Sequence, residues 1–240
     1  QVCREGPLAA YLSVPFADPA TDVDDLELLA LDVETTGLQP GRDHVVAVGF
    51  VPVVRGRIEL AGARSILVAA PVDVGQSATV HRLTDDVVAG GVPLAEALAE
   101  VLAALRGRVL LAHFARIEVG FIERACAQLW GAPFPAQVVD TLDLQRRLTA
   151  GAFGQEPAPG SLRLWTARER YRLPIYRAHE PLIDALSCAE LYLAPVAEMR
   201  GEGDLTPVSY THLRTPETGL DLVFPLLLEK KNKQLWLIAY

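Results

Sequence analysis

Lysine is absent from the first 207 residues of this 240-residue chain, and the only lysines lie at positions 230, 231 and 233. Arginine supplies every other basic side chain, and the formal net charge is -8 at pH 7. Binding along a nucleic-acid duplex by neutralising many phosphates requires a basic surface. The charge balance therefore excludes a long electrostatic footprint on a duplex, and it leaves open a grip on a few nucleotides of a single strand.

Cysteines and long apolar runs are also scarce. Cys3, Cys126 and Cys188 are too far apart in the chain for a disulfide framework or a zinc-binding spacing, so we expect a reducing, cytoplasmic environment. No segment approaches the roughly 20 unbroken apolar residues of a membrane span, and no membrane partner is predicted. Hydrophobic residues nevertheless make up 50% of the chain, which is enough for a globular core.

The two ends of the chain differ from its middle. The chain begins with Gln1 and its single methionine is Met199, so we expect a fragment or a processed product. Residues 208–214 (VSYTHLR) and the later run LLLEKK resemble a translated transposon-type sequencing adapter; a genuine strand near residues 220–228 is the alternative. The chain is therefore divided into an extension, a domain and a tail that is expected to be non-native from about residue 208. Their bounds are 1–27, 28–200 and 201–240.

Hydrophobic periodicity and turn residues predict strands first and alternating strands and helices afterwards. Strands are expected over residues 26–33, 45–54, 57–70, 108–112 and 138–140. Helices are expected over residues 93–105, 117–130, 141–148, from the N-cap Ser161 onwards, and over 181–199. This order predicts an α/β protein with a mixed sheet, in which the first strands are antiparallel and helices flank the sheet.

The strongest chemical signal is the run LDVETTGL at residues 31–38. Residues two apart in a strand project from one face, roughly 6 to 7 Å apart, so Asp32 and Glu34 can point towards one position. Carboxylate oxygens are the ligands that Mg²⁺ and Mn²⁺ prefer, and paired acids on a buried strand need a neutralising cation. An isolated Asp-x-Glu triplet would be read as a solvated strand end, but the whole run favours a metal site.

This run is similar to the first motif of the DEDDh-type 3′–5′ exonuclease superfamily, which includes the proofreading epsilon subunit of bacterial DNA polymerase III. The run HFARIE at residues 113–118 resembles the second motif, with Glu118 where relatives have Asp. The run HEPLID at residues 179–184 resembles the third motif, with Pro181 in place of the usual Ala. The resemblance covers about residues 28–195, and it implies a ribonuclease H-like fold with an exonuclease domain at 28–200.

The resemblance also implies roles for individual residues. Two Mg²⁺ or Mn²⁺ ions would be held by Asp32, Glu34, Glu118 and Asp184. His179 would take a proton from the attacking water, because the pKa of an imidazole lies near the operating pH. The pocket for the 3′-terminal nucleotide would be lined by Thr35, Thr36, Leu38, His81 and Gln76.

Weaker signals lie between the motifs. For His81 the alternative is a solvated loop histidine, and the match at Gln76 is softer still. Asp140 precedes a predicted helix and is interpreted as its cap, since Asp accepts the free amides of a first turn. Five arginines before the third motif are compatible with guiding a nucleic-acid strand or with a solvated helix face; they are Arg163, Arg168, Arg170, Arg172 and Arg177.

The predicted activity is the hydrolysis of phosphodiester bonds at the 3′ end of single-stranded nucleic acid, with DNA favoured and a proofreading or repair-like role. Two alternatives stay open. One is an RNA-trimming 3′–5′ exoribonuclease. The other is a catalytically inactive nucleic-acid-binding module, which the replacement at Glu118 motivates. The expected partners are the 3′ end of single-stranded DNA or RNA and, beyond these 240 residues, a DNA polymerase or a fused domain.

Overall fold

The structure is a computed structural model that describes residues 5–70, 90–149 and 157–199. Within these ranges the strands are β1 Leu28–Thr35, β2 Val45–Val54, β3 Arg57–Ile58, β4 Arg64–Leu67, β5 Val109–Ala112 and β6 Val138–Asp140. The α-helices are α1 Pro7–Leu12, α2 Leu94–Leu105, α3 Arg116–Trp130, α4 Thr141–Thr149, α5 Leu164–Arg170 and α6 Pro181–Met199. Gln76, His81 and the predicted tail at 201–240 lie outside the described residues.

The described strands form one mixed sheet in the order β3-β2-β1-β5-β6, and β4 pairs with β2. β1 is antiparallel to β2 and parallel to β5, which is in turn parallel to β6. The predicted mixed sheet with antiparallel first strands is therefore confirmed. Both faces of β1 and β2 are covered, which explains why their sequences are nearly continuous apolar runs.

Helices cover the two faces of the sheet with two separate hydrophobic clusters. One cluster joins Leu29, Leu31 and Val33 of β1 to α1, α2 and α3. The other joins Leu28 and Ala30 of β1 to α4 and α6. Because side chains alternate along a strand, residues 32 and 34 belong to the face that α6 covers.

Helix α6 approaches the sheet most closely at Gly49 of β2, which is paired with Asp32 across the strands. A Cβ atom at position 49 would lie 2.1 Å from the backbone nitrogen of Leu182 and 2.1 Å from the carbonyl carbon of Pro181. Such distances are far inside van der Waals contact, so the backbone of α6 rests directly on the strand. This contact fixes the first turn of α6 at the level of Asp32.

The segment before β1 packs against the same core. Leu8 and Tyr11 of α1 are buried in the cluster shared with α2 and α3, and the Tyr11 hydroxyl donates to the carbonyl of Pro135 over 2.9 Å. The Gln137 amide accepts from the backbone nitrogen of Ala17 and donates to the carbonyl of Ala17. Residues 7–17 thus contribute contacts that an isolated domain at 28–200 would lack.

Two local predictions were wrong. The strand expected over 57–70 is interrupted after Ile58 by a 3₁₀ turn at Leu60–Gly62, opposite Pro52 of β2, which has no N–H to continue the ladder. The helix expected from Ser161 begins at Leu164 instead, since the Ser161 hydroxyl donates to the carbonyl of Ala158 within the preceding turn. In the described ranges, no helix has both the length and the hydropathy to cross a bilayer.

Candidate active site

Four carboxylates that lie far apart in the chain meet on the α6 face of the sheet. Asp32 and Glu34 come from β1, Glu118 from the first turn of α3, and Asp184 from the first turn of α6. Glu34, Glu118 and Asp184 are buried, and Asp32 is half-buried between them. The structure therefore brings together all four acids that the motifs predicted as ligands.

Burial and mutual repulsion disfavour the charged forms of these carboxylates. Burial raises the pKa of Asp32 well above its usual range, and the carboxylates of Glu118, Asp184 and Glu34 raise it further. Burial also raises the pKa of Glu118 to about 8 and the pKa of Asp184 to about 6; the His179 amide hydrogen bond partly opposes the latter rise. A bound cation would therefore offset the repulsion among these carboxylates.

The donor atoms of the cluster fit a divalent cation. Oε2 of Glu118 and Oδ1 of Asp184 are buried and accept no hydrogen bond from the described residues. Ligand atoms of Glu34, Asp184 and His179 all lie within 4.8 Å of one another. Buried carboxylate oxygens in such a group suit hard cations such as Mg²⁺ or Mn²⁺, whose charge would offset the repulsion.

His179 stands next to the carboxylates in the loop before α6. Its backbone has a φ of 67°, and its amide donates to Oδ2 of Asp184 over 3.0 Å. Its side chain is exposed to solvent, while a ring nitrogen belongs to the group of ligand atoms around Glu34. An exposed imidazole at this place can exchange a proton with a water molecule at the carboxylates.

Asp140 at the end of β6 accepts hydrogen bonds from backbone amides at the N-termini of two helices, α3 and α4. Oδ1 accepts from the amides of Leu142 and Phe114, each over 2.9 Å, and Oδ2 accepts from the amide of Ala115 over 2.9 Å. The predicted cap of α4 is confirmed. Its bonds to the turn before α3 were not predicted, and they fix the helix that carries Glu118.

The loop after β1 presents the residues predicted to line a nucleotide pocket. The Thr35 hydroxyl donates to the carbonyl of Gly37 over 2.6 Å, and the Thr36 hydroxyl accepts from the amide of His44. These bonds fix the loop, on which Leu38 is 74% exposed, so the loop offers an apolar surface to solvent.

His113, at the start of the second motif, is not part of the carboxylate cluster. Its Nδ1 is 2.9 Å from the Thr141 hydroxyl, and burial lowers its pKa to about 4. His113 is therefore neutral at physiological pH and serves the packing between β5 and α4.

Arg168 behaves differently from the other arginines before the third motif. Its guanidinium is buried and donates to the carbonyls of Ser187 and Pro174 and to the carboxylate of Glu190. It cannot guide a nucleic-acid strand, which corrects that interpretation for this residue. The exposed members of the group are Arg163, Arg170, Arg172 and Arg177.

Comparison with known proteins agrees with this geometry. The sequence profile of the family described as exonuclease (RNase_T) matches residues 29–192, which include all four carboxylates and His179. The chain belongs to the exonuclease family. It also belongs to the DEDDh-type exonuclease superfamily, as the three motifs indicated.

Two bacterial relatives illustrate the similarity. The DNA polymerase III subunit epsilon-like protein of Rhodobacter capsulatus is 31% identical over 186 residues, which cover 76% of this chain and 25% of the relative. The DNA polymerase III subunit epsilon of Treponema pallidum is 27% identical over 170 residues, which cover 70% of this chain and 75% of the relative. The chain thus spans about a quarter of the first of these exonuclease-family relatives.

Solved structures support the ribonuclease H-like fold. The nuclease domain of 3′hExo, described as a DEDDh family member bound to rAMP, aligns with a TM-score of 0.59 at 17% identity, covering 82% of this chain and 100% of that one. Exonuclease I of E. coli in complex with a dT13 oligonucleotide aligns with a TM-score of 0.58 at 13% identity. The alignment covers 74% of this chain and 42% of that one. The exonuclease-family fold is therefore established for the described sheet and helices.

The metal-free protein is expected to lose stability as the pH rises. Unfolded Asp and Glu titrate near pH 4, whereas the folded pKa values of Asp184 and Glu118 are about 6 and about 8. Between these limits the folded state binds more protons than the unfolded state, so the stability that these two carboxyls contribute is fully present below about pH 4 and is lost by about pH 8. We expect Tm in EDTA to fall by roughly 5 °C or more between pH 5.5 and 8.5, measured by differential scanning fluorimetry.

Divalent cations should reverse this loss, because they bind the ionised carboxylates of the folded state. The same melting curves in Mn²⁺ should show a rise in Tm at pH 8.5 that is much larger than the rise at pH 5.5. A Tm that responds to Mn²⁺ equally at both pH values would contradict a site made of these carboxylates.

Proposed function

We propose that the chain is a metal-dependent 3′→5′ exonuclease that hydrolyses the terminal phosphodiester bond of single-stranded nucleic acid, with DNA favoured. The observation that carries the proposal is the meeting of Asp32, Glu34, Glu118 and Asp184 with His179 on the α6 face of the sheet. Family membership supports the reaction class. We place the exonuclease domain at residues 28–200, with the segment before it packed on its core.

The four carboxylates are proposed to hold two divalent cations, Mg²⁺ or Mn²⁺. When bound, such cations lower the pKa of a coordinated water and offset the negative charge that develops on the reacting phosphate. The chain itself positions the ligands. Asp32 and Glu34 lie on the rigid strand β1, and α3 and α6 supply the other two acids. Their burial excludes bulk water from the donor oxygens.

His179 is proposed to accept the proton of the attacking water at a ring nitrogen. Its exposure keeps the imidazole accessible to water, and the hydrogen bond from its amide to Asp184 holds the ring close to the ligand oxygens. Thr35, Thr36 and Leu38 are proposed to contact the terminal nucleotide, with Leu38 offering a face for a base. Gln76 and His81 are proposed to complete that pocket from outside the described residues.

The proposed substrate is a single-stranded 3′ end gripped over a few nucleotides. The acidic chain has no surplus of positive charge for duplex phosphates. DNA is favoured because the bacterial relatives are named as polymerase III epsilon or epsilon-like proteins, which also suggests a DNA polymerase or fused domain as a partner. An RNA-trimming exoribonuclease is the second candidate, since one structural neighbour was solved with rAMP. The buried free thiols Cys126 and Cys188 agree with a cytoplasmic protein.

The test follows 5′-labelled single-stranded DNA and RNA of one sequence on a denaturing gel, with the full chain and either Mn²⁺ or Mg²⁺. A ladder that shortens from the 3′ end and disappears with EDTA would support the exonuclease, and the faster substrate would choose between DNA and RNA. If folded protein binds both oligonucleotides and cleaves neither, the inactive binding module is the correct reading.

Substitutions at Glu118 test whether this longer acid is a ligand. Glu118→Asp shortens the side chain and keeps the charge, so we expect activity to fall by about 10-fold; Glu118→Gln removes the charge, and we expect a loss of roughly 100-fold or more. The measurement is kcat on the better oligonucleotide at saturating Mn²⁺. Equal activity of the two variants would count against ligation by Glu118.

A further inference from the structure

The loop at residues 171–180 joins α5 to α6 and carries His179. Three side-chain hydrogen bonds fasten this loop to the body of the protein. Near its start, Nη2 of Arg168 donates to the carbonyl of Pro174 over 2.8 Å; near its middle, the Tyr176 hydroxyl donates to Oε1 of Glu190 over 2.9 Å; at its end, the His179 amide donates to Asp184. The loop is thus attached to α5 and α6 ahead of the histidine, and to α6 at the histidine itself.

Arg168 is the centre of the first two attachments. Its Nη1 donates to the carbonyl of Ser187 over 2.7 Å, and its Nη2 lies 2.6 Å from Oε2 of Glu190. Its guanidinium carbon lies 5.2 Å from the ring centre of Tyr176 and 5.4 Å from that of Trp165. Only 1% of Arg168 is exposed, so its ion pair with Glu190 is shielded from water. The planar guanidinium contacts the loop, α5 and α6 together, and the flexible ammonium of a lysine would not reproduce these contacts.

Glu190 shares its carboxylate between the two groups that hold the loop. One oxygen accepts from Arg168 and the other from the hydroxyl of Tyr176. Glu190 lies in α6, the helix whose first turn carries Asp184. The same rigid element therefore positions a carboxylate of the site and, through Glu190, the chain segment three residues before His179.

His179 needs such support because its backbone is in the left-handed region, with a φ of 67°. A residue with a Cβ atom is disfavoured there, and it stays there only when neighbouring contacts define the conformation. The hydrogen bond from its amide to Asp184 supplies one such contact, and the attachments of Tyr176 and Pro174 hold the segment that leads to it. Loosening the second attachment would let the imidazole move while the carboxylates stay in place.

We propose that Arg168, Glu190 and Tyr176 form a positioning cluster that holds His179 beside the carboxylates and thereby sets the rate of proton transfer. The inference rests on the proposed role of His179 as proton acceptor. The cluster does not contact the reacting atoms; it acts through the loop. A displacement of about 1 Å in such a group lowers the rate up to 100-fold and leaves substrate binding nearly unchanged.

Tyr176→Phe is the mildest test, because it removes one hydroxyl and keeps the ring under the guanidinium. Single-turnover cleavage of the better oligonucleotide should slow by about 3- to 10-fold, with KM changed less than about 2-fold. Arg168→Lys keeps the charge and loses the planar guanidinium that donates through both Nη atoms, so a loss of about 10- to 100-fold is expected. Arg108→Gln is the matched control, since Arg108 pairs with Glu27 away from the site and its loss should leave the rate unchanged.

A double-mutant cycle separates positioning from a purely structural role. In a His179→Ala background, the further change Tyr176→Phe should slow cleavage by less than about 1.5-fold, since the group it positions is gone. Equal slowing in both backgrounds would overturn the inference and leave the proposed function intact. A parent protein that folds and shows no metal-dependent cleavage would overturn the proposed function and this inference with it.

A readout without turnover keeps the test decisive if His179→Ala proves too slow to measure. The imidazole signals of His179 in a ¹H–¹³C NMR spectrum, assigned by their loss in His179→Ala, should shift or broaden in Tyr176→Phe and not in Arg108→Gln. Unchanged His179 signals in Tyr176→Phe would refute the positioning role.

Discussion

Asp32→Asn is expected to abolish hydrolysis, with kcat reduced at least about 1000-fold, while the metal-free protein becomes more stable. The side chain keeps its size and loses the charge that lies among Glu34, Glu118 and Asp184. Without that charge the site binds divalent cations poorly, and the reacting phosphate loses their stabilisation. Loss of the Asp32 charge also reduces the repulsion among the remaining carboxylates, so the free energy of unfolding rises in the absence of metal.

The two opposite effects of Asp32→Asn distinguish a functional site from an ordinary buried residue, whose removal lowers stability and activity together. Cleavage assays with Mn²⁺ and urea unfolding in EDTA at pH 8 measure the two effects. Asp25→Asn is the control, since Asp25 is exposed near the start of β1 and should change neither quantity. Normal cleavage by Asp32→Asn would refute the assignment of the site.

Gly49→Ala is expected to destabilise the protein by about 2 to 4 kcal/mol and to remove most of its activity, although Gly49 carries no functional group. The new methyl group would lie 2.1 Å from backbone atoms at the start of α6, and a backbone cannot yield as a flexible side chain does. The helix must move outwards. Asp184 and His179 are attached to its first turn, so they would move away from Asp32 with it.

Gly41→Ala provides a matched control for this steric argument. A Cβ atom at Gly41 would meet nothing within 4 Å, so we expect a change within about 0.5 kcal/mol and normal cleavage. Chemical denaturation and single-turnover cleavage measure both variants. If Gly49→Ala matched Gly41→Ala in stability and rate, α6 could not rest on β2 as described.

The strands of the sheet centre and half of the site could be predicted from local sequence. Long apolar runs mark β1 and β2 as buried strands, and the period of two places Asp32 and Glu34 on one face. Glu118 and Asp184 were predicted from family motifs, because no local pattern shows that α3 and α6 bring their first turns to β1.

The features that were not predicted depend on contacts between distant segments. The break after Ile58 follows from pairing with Pro52, and the burial of Arg168 follows from the packing of α5 on α6. Arg168 stands among similar arginines in the sequence, and nothing local distinguishes it from the exposed ones. The double capping by Asp140 has the same origin, since only the fold places the turn before α3 beside β6.

The close packing of α6 against Gly49 also has a consequence for the order of folding. β1 and β2 are neighbours in the chain and can pair early, whereas α6 follows most of the domain and closes a long loop when it docks. The nuclease site is therefore complete only after α6 has been synthesised and packed. Nascent chains that end before residue 184 should be unable to degrade nucleic acid near the ribosome, and metal affinity should appear in the final kinetic phase of refolding.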